Sequence, residues 1–248
     1  MELIKKEKLL FGLPITIDGF GTIYQPKMED FLLTNFDFAK FARAFKINAD
    51  LLPQSNSEIK NFDIFLFQLT SNSEENLLIE ELMESLKLLY KTDNVKIYIK
   101  GNEMDSIGIS INDEIFINRN NYDELSNIVQ IIMGEGNNVL EKETQKELSE
   151  IDAKIAKRRR EFEKRKRERE KDLKKSDNVT TIFDLINYII HSNYSQFTYD
   201  SAIKLTIYQI KNTFNLYRQK ENYQLMIDYK TGGFEIKDKI IHWFFSNE

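Results

Sequence analysis

The hydrophobic pattern changes period several times along the chain, and each change predicts a new element. Pro14-Ile15-Thr16-Ile17-Asp18 alternates, Gly19-Phe20-Gly21 supplies a turn, and Thr22-Ile23-Tyr24-Gln25 alternates again, which predicts a β-hairpin. Pro26 is tolerated ahead of a first helical turn, so Met28, Phe31 and Leu32 predict a helix directly after it. Asn35 or Asp37 is placed to cap a second helix with Phe38, Phe41, Ala42 and Phe45 on one face. Asn61-Phe62-Asp63 caps a short apolar helix from Ile64 to Leu69. Ser73-Glu74-Glu75-Asn76 opens another, whose Leu78, Leu82, Leu86 and Leu89 recur at steps of four and three.

A period of two then takes over. Val95 to Ile99, Ile107 to Ile111 and Ile115 to Ile117 alternate, with turns at Gly101-Asn102 and Asn112-Asp113. This predicts a half-buried antiparallel meander with one wet face. Asn120-Asn121 is placed to cap a helix carrying Leu125, Ile128, Val129 and Ile132, and Gly134-Glu135-Gly136 stops it. Asp177-Asn178-Val179-Thr180 restarts the fold, with Ile182, Leu185, Ile186, Ile189 and Ile190 on a helix. Asp200-Ser201 introduces the next, through Ile203, Ile207, Ile210, Phe214 and Tyr217, with Glu221 to Tyr229 as a continuation and a break at Gly232-Gly233. Ile236 to Phe245 closes the chain as a last helix or strand.

The segment between these regions is of another kind. Residues 141–175 hold 15 basic and 10 acidic side chains, a net +5; the whole chain carries −5, so the remainder carries −10. Acids and bases interleave, as on solvent-exposed helices that pair charges three and four residues apart. The apolar residues Leu148, Ile151, Ile155 and Phe162 form a stripe one residue wide. A continuous helix here would span about 50 Å. It reads first as a solvated connecting helix, with a partner-binding or coiled-coil arm as the alternative. Nucleic-acid binding by Lys157 to Arg169 is the weaker reading, because no aromatic platform accompanies the basic run. The expected architecture is α+β: a mixed domain over 1–136 with a small antiparallel sheet, a charged helical connector over 137–176, and a helical domain over 177–248.

Composition removes many functions. With no Cys and 2 His, disulfides, thiolate nucleophiles, iron–sulfur clusters and Cys-bearing zinc sites are excluded. Three Pro and 9 Gly are too few for a propeller or a linker-dominated chain. No apolar run approaches the ~20 residues of a membrane span, so no membrane partner is expected. The sequence contains no phosphate-binding P-loop and no Gly-x-Ser-x-Gly elbow. Gly19-Phe20-Gly21 lies in a hairpin, not between a strand and a helix as dinucleotide binding needs. His191 and His242 have no acidic partner at helical spacing. Glu80, Glu81 and Glu84 read as solvated helix charges. Neither catalysis nor a cofactor or metal is expected. The apolar end at Trp243, Phe244 and Phe245 reads as an anchor folded back on the C-terminal unit, or as a hot spot for a partner.

Several segments resemble one group of proteins. Leu9-Leu10-Phe11-Gly12-Leu13-Pro14-Ile15-Thr16-Ile17 and Gly21-Thr22-Ile23-Tyr24-Gln25-Pro26-Lys27-Met28-Glu29-Asp30-Phe31 resemble the opening of tail-morphogenesis proteins of tailed bacteriophages of Gram-positive hosts. Asn118-Arg119-Asn120-Asn121-Tyr122-Asp123-Glu124-Leu125 is similar too. So are Thr206-Ile207-Tyr208-Gln209-Ile210 and Lys237-Asp238 before His242-Trp243-Phe244. The group includes tail assembly chaperones. The resemblance implies a non-enzymatic protein that binds tape-measure or other tail subunits in the host cytoplasm, or remains in the virion as a structural part of tail or baseplate. Self-association is open. The candidate partner-binding residues are Leu148, Ile151, Ile155, Phe162, Trp243, Phe244 and Phe245.

Overall fold

The computed structural model describes residues 4–34, 36–47, 59–70, 77–99, 106–135, 181–233 and 242, and the fold is α+β. A short helix that hydrophobic period did not predict, α1 (Lys6–Leu10), comes first and buries Leu9. The predicted hairpin follows as β1 (Ile15–Ile17) and β2 (Gly21–Ile23), antiparallel with Ile15 opposite Ile23. Gln25, buried, holds α1 to the hairpin by donating from Nε2 to the carbonyls of Lys8 (2.8 Å) and Leu13 (2.7 Å).

Helices α2 (Met28–Thr34) and α3 (Phe38–Ala44) form where expected. The Asp37 side chain accepts from Ala39 N at 2.8 Å and caps α3. Phe31, Phe41 and Phe45 interlock edge to face, with centroids 5.3 and 5.6 Å apart. Such aromatic geometry contributes beyond area burial alone. Helix α4 (Asp63–Thr70) starts at Asp63, whose carboxylate accepts from Lys60 N at 2.8 Å. Helix α5 (Leu77–Tyr90) buries Leu82, Leu86 and Leu89 completely. The predicted opening at Ser73 to Asn76 lies outside the described residues.

Strands β3 (Val95–Ile99), β4 (Ile107–Ile111) and β5 (Ile115–Asn118) build the meander in sequence order, so among the described residues β3 and β5 are its edges. The register aligns Ile97, Ile109 and Ile117 on one face, on which α5 packs. On the other face Tyr98 meets Phe116 edge-on at 5.2 Å. The Phe116 ring lies over Gly108, where a Cβ would come within 2.8 Å of the ring and 2.4 Å of the Ile117 carbonyl oxygen. The predicted half-buried meander with one wet face forms, with its first strand less covered than the other two. On β3 only Val95 is covered, and Ile97 and Ile99 are exposed.

Helix α6 (Tyr122–Ile132) buries Leu125, Ile128, Val129 and Ile132. Asn121 precedes it but does not cap it by its side chain. Its Oδ1 accepts from Asn118 N (2.8 Å) and its Nδ2 donates to Phe116 O (2.7 Å), binding the helix start to the end of β5. The predicted stop is at Gly134, whose φ of +68° suits glycine. Helix α7 (Ile182–His191) starts with a capping box between Thr181 and Asp184.

The single helix predicted from Asp200 is two. A one-turn α8 (Tyr199–Ala202) stops, and α9 (Ile207–Thr231) starts afresh with a Thr206–Gln209 capping box. The intervening carbonyls are used elsewhere: Met28 N donates to Leu205 O (3.1 Å) and Glu29 N to Ile203 O (2.8 Å). Lys27 and Thr206 form a β-bridge, and Gln209 Nε2 donates to Leu10 O at 2.8 Å. The C-terminal helices thus dock on the opening hairpin region, and their Ile182, Ile186, Ile189, Ile207 and Ile210 join the same buried cluster as the N-terminal core. The predicted connector over 137–176 and the closing segment over Ile236 to Phe245 lie outside the described residues, apart from His242.

Candidate protein-binding surface

Buried polar side chains are the first place to look for chemistry, since burial without a partner is costly. Most of those described here hold elements together. Asp63, only 2% exposed, pairs with Arg119 Nε at 2.9 Å, joining α4 to the turn before α6. Glu81, predicted as a solvated charge, is buried and forked by the guanidinium of Arg43, which joins α5 to α3. That pairing holds the Arg43 pKa above its ordinary value. Glu80 and Glu84 stay exposed. The signal for Glu81 was its place beside the leucine stripe of α5, one residue before Leu82 and one turn before Ser85, which is also buried. Tyr122 OH donates to Ala44 O, and Ser126 Oγ (2.6 Å) and Gln130 Nε2 (2.8 Å) both donate to Phe45 O. These three residues of α6 satisfy the orphan carbonyls at the end of α3.

Glu135, just past α6, receives Lys46 Nζ and Lys211 Nζ, each at 2.5 Å. It therefore ties the segment after α3 to α9. Burial alone would raise its carboxyl pKa, but the bonds and charges of Lys211 and Lys46 outweigh that and hold it below the ordinary value.

One cleft among the described residues offers little to a small substrate. This cleft of about 480 Å³ is lined by Lys46, Asn61, Asp123, Ser126, Asn127 and Gln130. Its polar groups are mostly engaged: Asn61 Nδ2 donates to Asp123 at 2.8 Å, and Ser126 and Gln130 already serve Phe45. Nothing in it pairs a nucleophile with a base. His191 sits beside Tyr199, its Nε2 3.3 Å from the hydroxyl, and His242 lies against Tyr223 with ring centroids 4.9 Å apart. Among the described residues no three His, Cys, Asp or Glu side chains are grouped to share a metal ion, and no helix is long and apolar enough to cross a membrane.

The exposed apolar side chains are more informative. The first half of α9 is packed: Ile207, Tyr208 and Ile210 are buried, and Phe214 meets Tyr188 of α7 at 4.9 Å. Tyr188 OH donates to Glu221, and burial together with that carboxylate raises the phenol pKa to about 12. Lys220 Nζ lies 3.9 Å from the ring centroid of Tyr194. Beyond this point the helix runs on, and Leu225, Met226 and Tyr229 are exposed. Steps of one, three and four residues place them on one helix face. A second apolar group, Phe11 and Leu13, borders the start of α9, where Gly12 approaches Thr206 and Gln209. Leu32 and Leu33 are exposed on α2.

All seven partner-binding residues expected from the sequence, Leu148, Ile151, Ile155, Phe162, Trp243, Phe244 and Phe245, lie outside the described residues. The segments that carried the family resemblance are better placed. Residues 9–17, 21–31 and 206–210 meet at one junction, through Leu10 O to Gln209, Pro26 O to Ile207 N, and the Lys27–Thr206 bridge. Sequence reasoning missed the exposed face of α9, although the run Leu225-Met226-Ile227 within an otherwise polar stretch was its visible signal. Comparison of the chain with protein families, with curated proteins and with solved structures returns no match.

Proposed function

We propose that this chain is a non-enzymatic assembly factor that works by binding another polypeptide, and that the polypeptide is a helical tail subunit of a tailed bacteriophage. The observation that supports the binding role is the exposure of the apolar side chains Leu225 and Met226 on α9, presented beyond a well-packed helical base. An apolar helix face of this kind pairs with an amphipathic helix through residues at three- and four-residue spacing. Tape-measure proteins, long and helical, supply such faces. The identity of the partner rests on the resemblance of the opening, central and closing segments to phage tail-morphogenesis proteins. In this role the chain is a tail or baseplate assembly chaperone, resident in the host cytoplasm while tails are built.

The test has two parts. Helical tape-measure fragments mixed with the protein should form a soluble stoichiometric complex, and purified mature tails should lack the protein. No complex with any tail subunit refutes the proposal. A complex together with retention in mature tails makes the protein a structural component of the virion instead.

A further inference from the structure

We propose that β3 is a dimerisation edge, at which a second copy of the chain adds its own β3 in antiparallel register centred on Ile97. Three observations lead there. First, β3 is an edge of its sheet among the described residues, and an open edge presents unpaired backbone groups. Asn112 N donates to Asn94 O at 2.9 Å, which makes 94 and 112 a hydrogen-bonded pair. By the alternation of an antiparallel ladder, Lys96 and Tyr98 bond inward to β4, so the N–H and C=O of Ile97 and Ile99 point out from the free edge. The Val95 N–H is turned back to Asp93 O at 3.0 Å, which leaves its carbonyl available.

Second, the side chains on the core-facing side of β3 lose cover in order along the strand. Val95 is 5% exposed, Ile97 39% and Ile99 66%. Pairing about Ile97 sets Ile99 beside the partner's Val95, the covered end of the other strand. The least protected position of each copy thus comes to lie next to the most protected position of its mate, and the two central Ile97 side chains pack together. A parallel copy, or one shifted by a pair, would leave an Ile99 without this shelter.

Third, the opposite face is self-complementary in charge. The same register sets Lys96 across from the partner's Tyr98, whose ring is already fixed against Phe116. A lysine beside a fixed aromatic ring suits a cation–π contact, while no two lysines face each other. In this pairing Ile97 N–H donates to the partner's Ile97 O, Ile99 N–H donates to the partner's Val95 O, and symmetry repeats both. The contact is isologous, as a two-fold dimer requires. One strand pair is small beside the interfaces of permanent dimers, so the association is weak and concentration-dependent. It involves none of the α9 residues assigned to partner binding, and the two proposals stand or fall separately.

The chain has no cysteine, which permits a direct trap. On the dimer axis the two Ile97 Cα atoms would lie roughly 5.5 Å apart, inside the span a disulfide bridges. Three full-length variants, Ile97→Cys, Ile99→Cys and Leu33→Cys, are oxidised at equal concentration and run on non-reducing gels. Leu33, 81% exposed on α2, controls for random collision. Ile97→Cys should form the cross-linked dimer about tenfold faster than Leu33→Cys, since pairing raises the local thiol concentration. Adding Ile99→Lys, which sets a charge against the partner's Val95, should return the rate to the control value with the circular dichroism spectrum unchanged. Equal rates for Ile97→Cys and Leu33→Cys overturn the proposal, and so does a faster rate at Ile99→Cys, which would mean another register.

Discussion

Glu135→Gln is the sharpest probe of how the C-terminal helices are held to the rest of the molecule. The carboxylate lies between Lys46 and Lys211, each at 2.5 Å, with side-chain exposures of 27% for Glu135 and 21% for Lys211. An exposed ion pair contributes up to about 1 kcal/mol; two partners and partial withdrawal from solvent put this clasp at about 1–2 kcal/mol. Gln keeps the size and one acceptor but removes the charge. The folded carboxyl has a lowered pKa, so the charge-dependent part is fully present above the unfolded value of 4.5 and disappears as pH falls through the folded value. Urea unfolding of wild type and variant at about pH 7 should therefore differ by about 1–2 kcal/mol, and the difference should be smaller at about pH 3. Hydrogen exchange in the first turns of α9 should rise in the variant at neutral pH. An equal difference at both pH values, or none at pH 7, would refute the assignment of this clasp to charge.

Other perturbations follow from the same contacts. Tyr122→Phe leaves the buried Ala44 carbonyl without its donor and should lower stability by about 1–2 kcal/mol in urea unfolding. Gly108→Ala drives a Cβ into the Phe116 ring and the Ile117 carbonyl; it should cost about 1–3 kcal/mol and perturb the Tyr98 and Phe116 ring resonances in NMR spectra. Arg119→Met strands the buried Asp63 carboxylate and should cost about 3 kcal/mol near neutral pH; Asp63→Asn in the same chain should recover part of that loss.

The elements legible in the sequence are those whose cause is local. The hairpin over residues 15–23 follows from alternation around glycine, the cap of α3 from Asp37 two residues ahead of Ala39, and the three-stranded meander from period two with Asn112 and Asp113 in the left-handed region. What stayed hidden depends on residues far apart in the chain. The break between α8 and α9 exists because Ile203 and Leu205 carbonyls serve Met28 and Glu29, which no window around residue 203 contains. Glu81 looked solvated because its partner Arg43 is 38 residues away on another helix. The exposed end of β3 was hidden too, since Ile97 and Ile99 continue the same alternation as the buried Val95. The α9 face escaped notice for a different reason: Leu225 and Met226 fall in a segment read as helix, but only the packing reveals that they are exposed.

The central claim is that these side chains are a binding surface for a helical polypeptide, and fluorescence anisotropy tests it most directly. A labelled amphipathic tape-measure helix is titrated with wild-type protein and with the double variant Leu225→Asp, Met226→Asp. Each side chain has about half its surface left to bury, worth about 1 kcal/mol, so the two together contribute about 2 kcal/mol, or about thirtyfold in affinity. The account predicts saturable binding by the wild type and at least that loss in the variant, with unfolding of the two unchanged within about 0.5 kcal/mol. Equal affinity for both proteins, or no binding by the wild type, would contradict it.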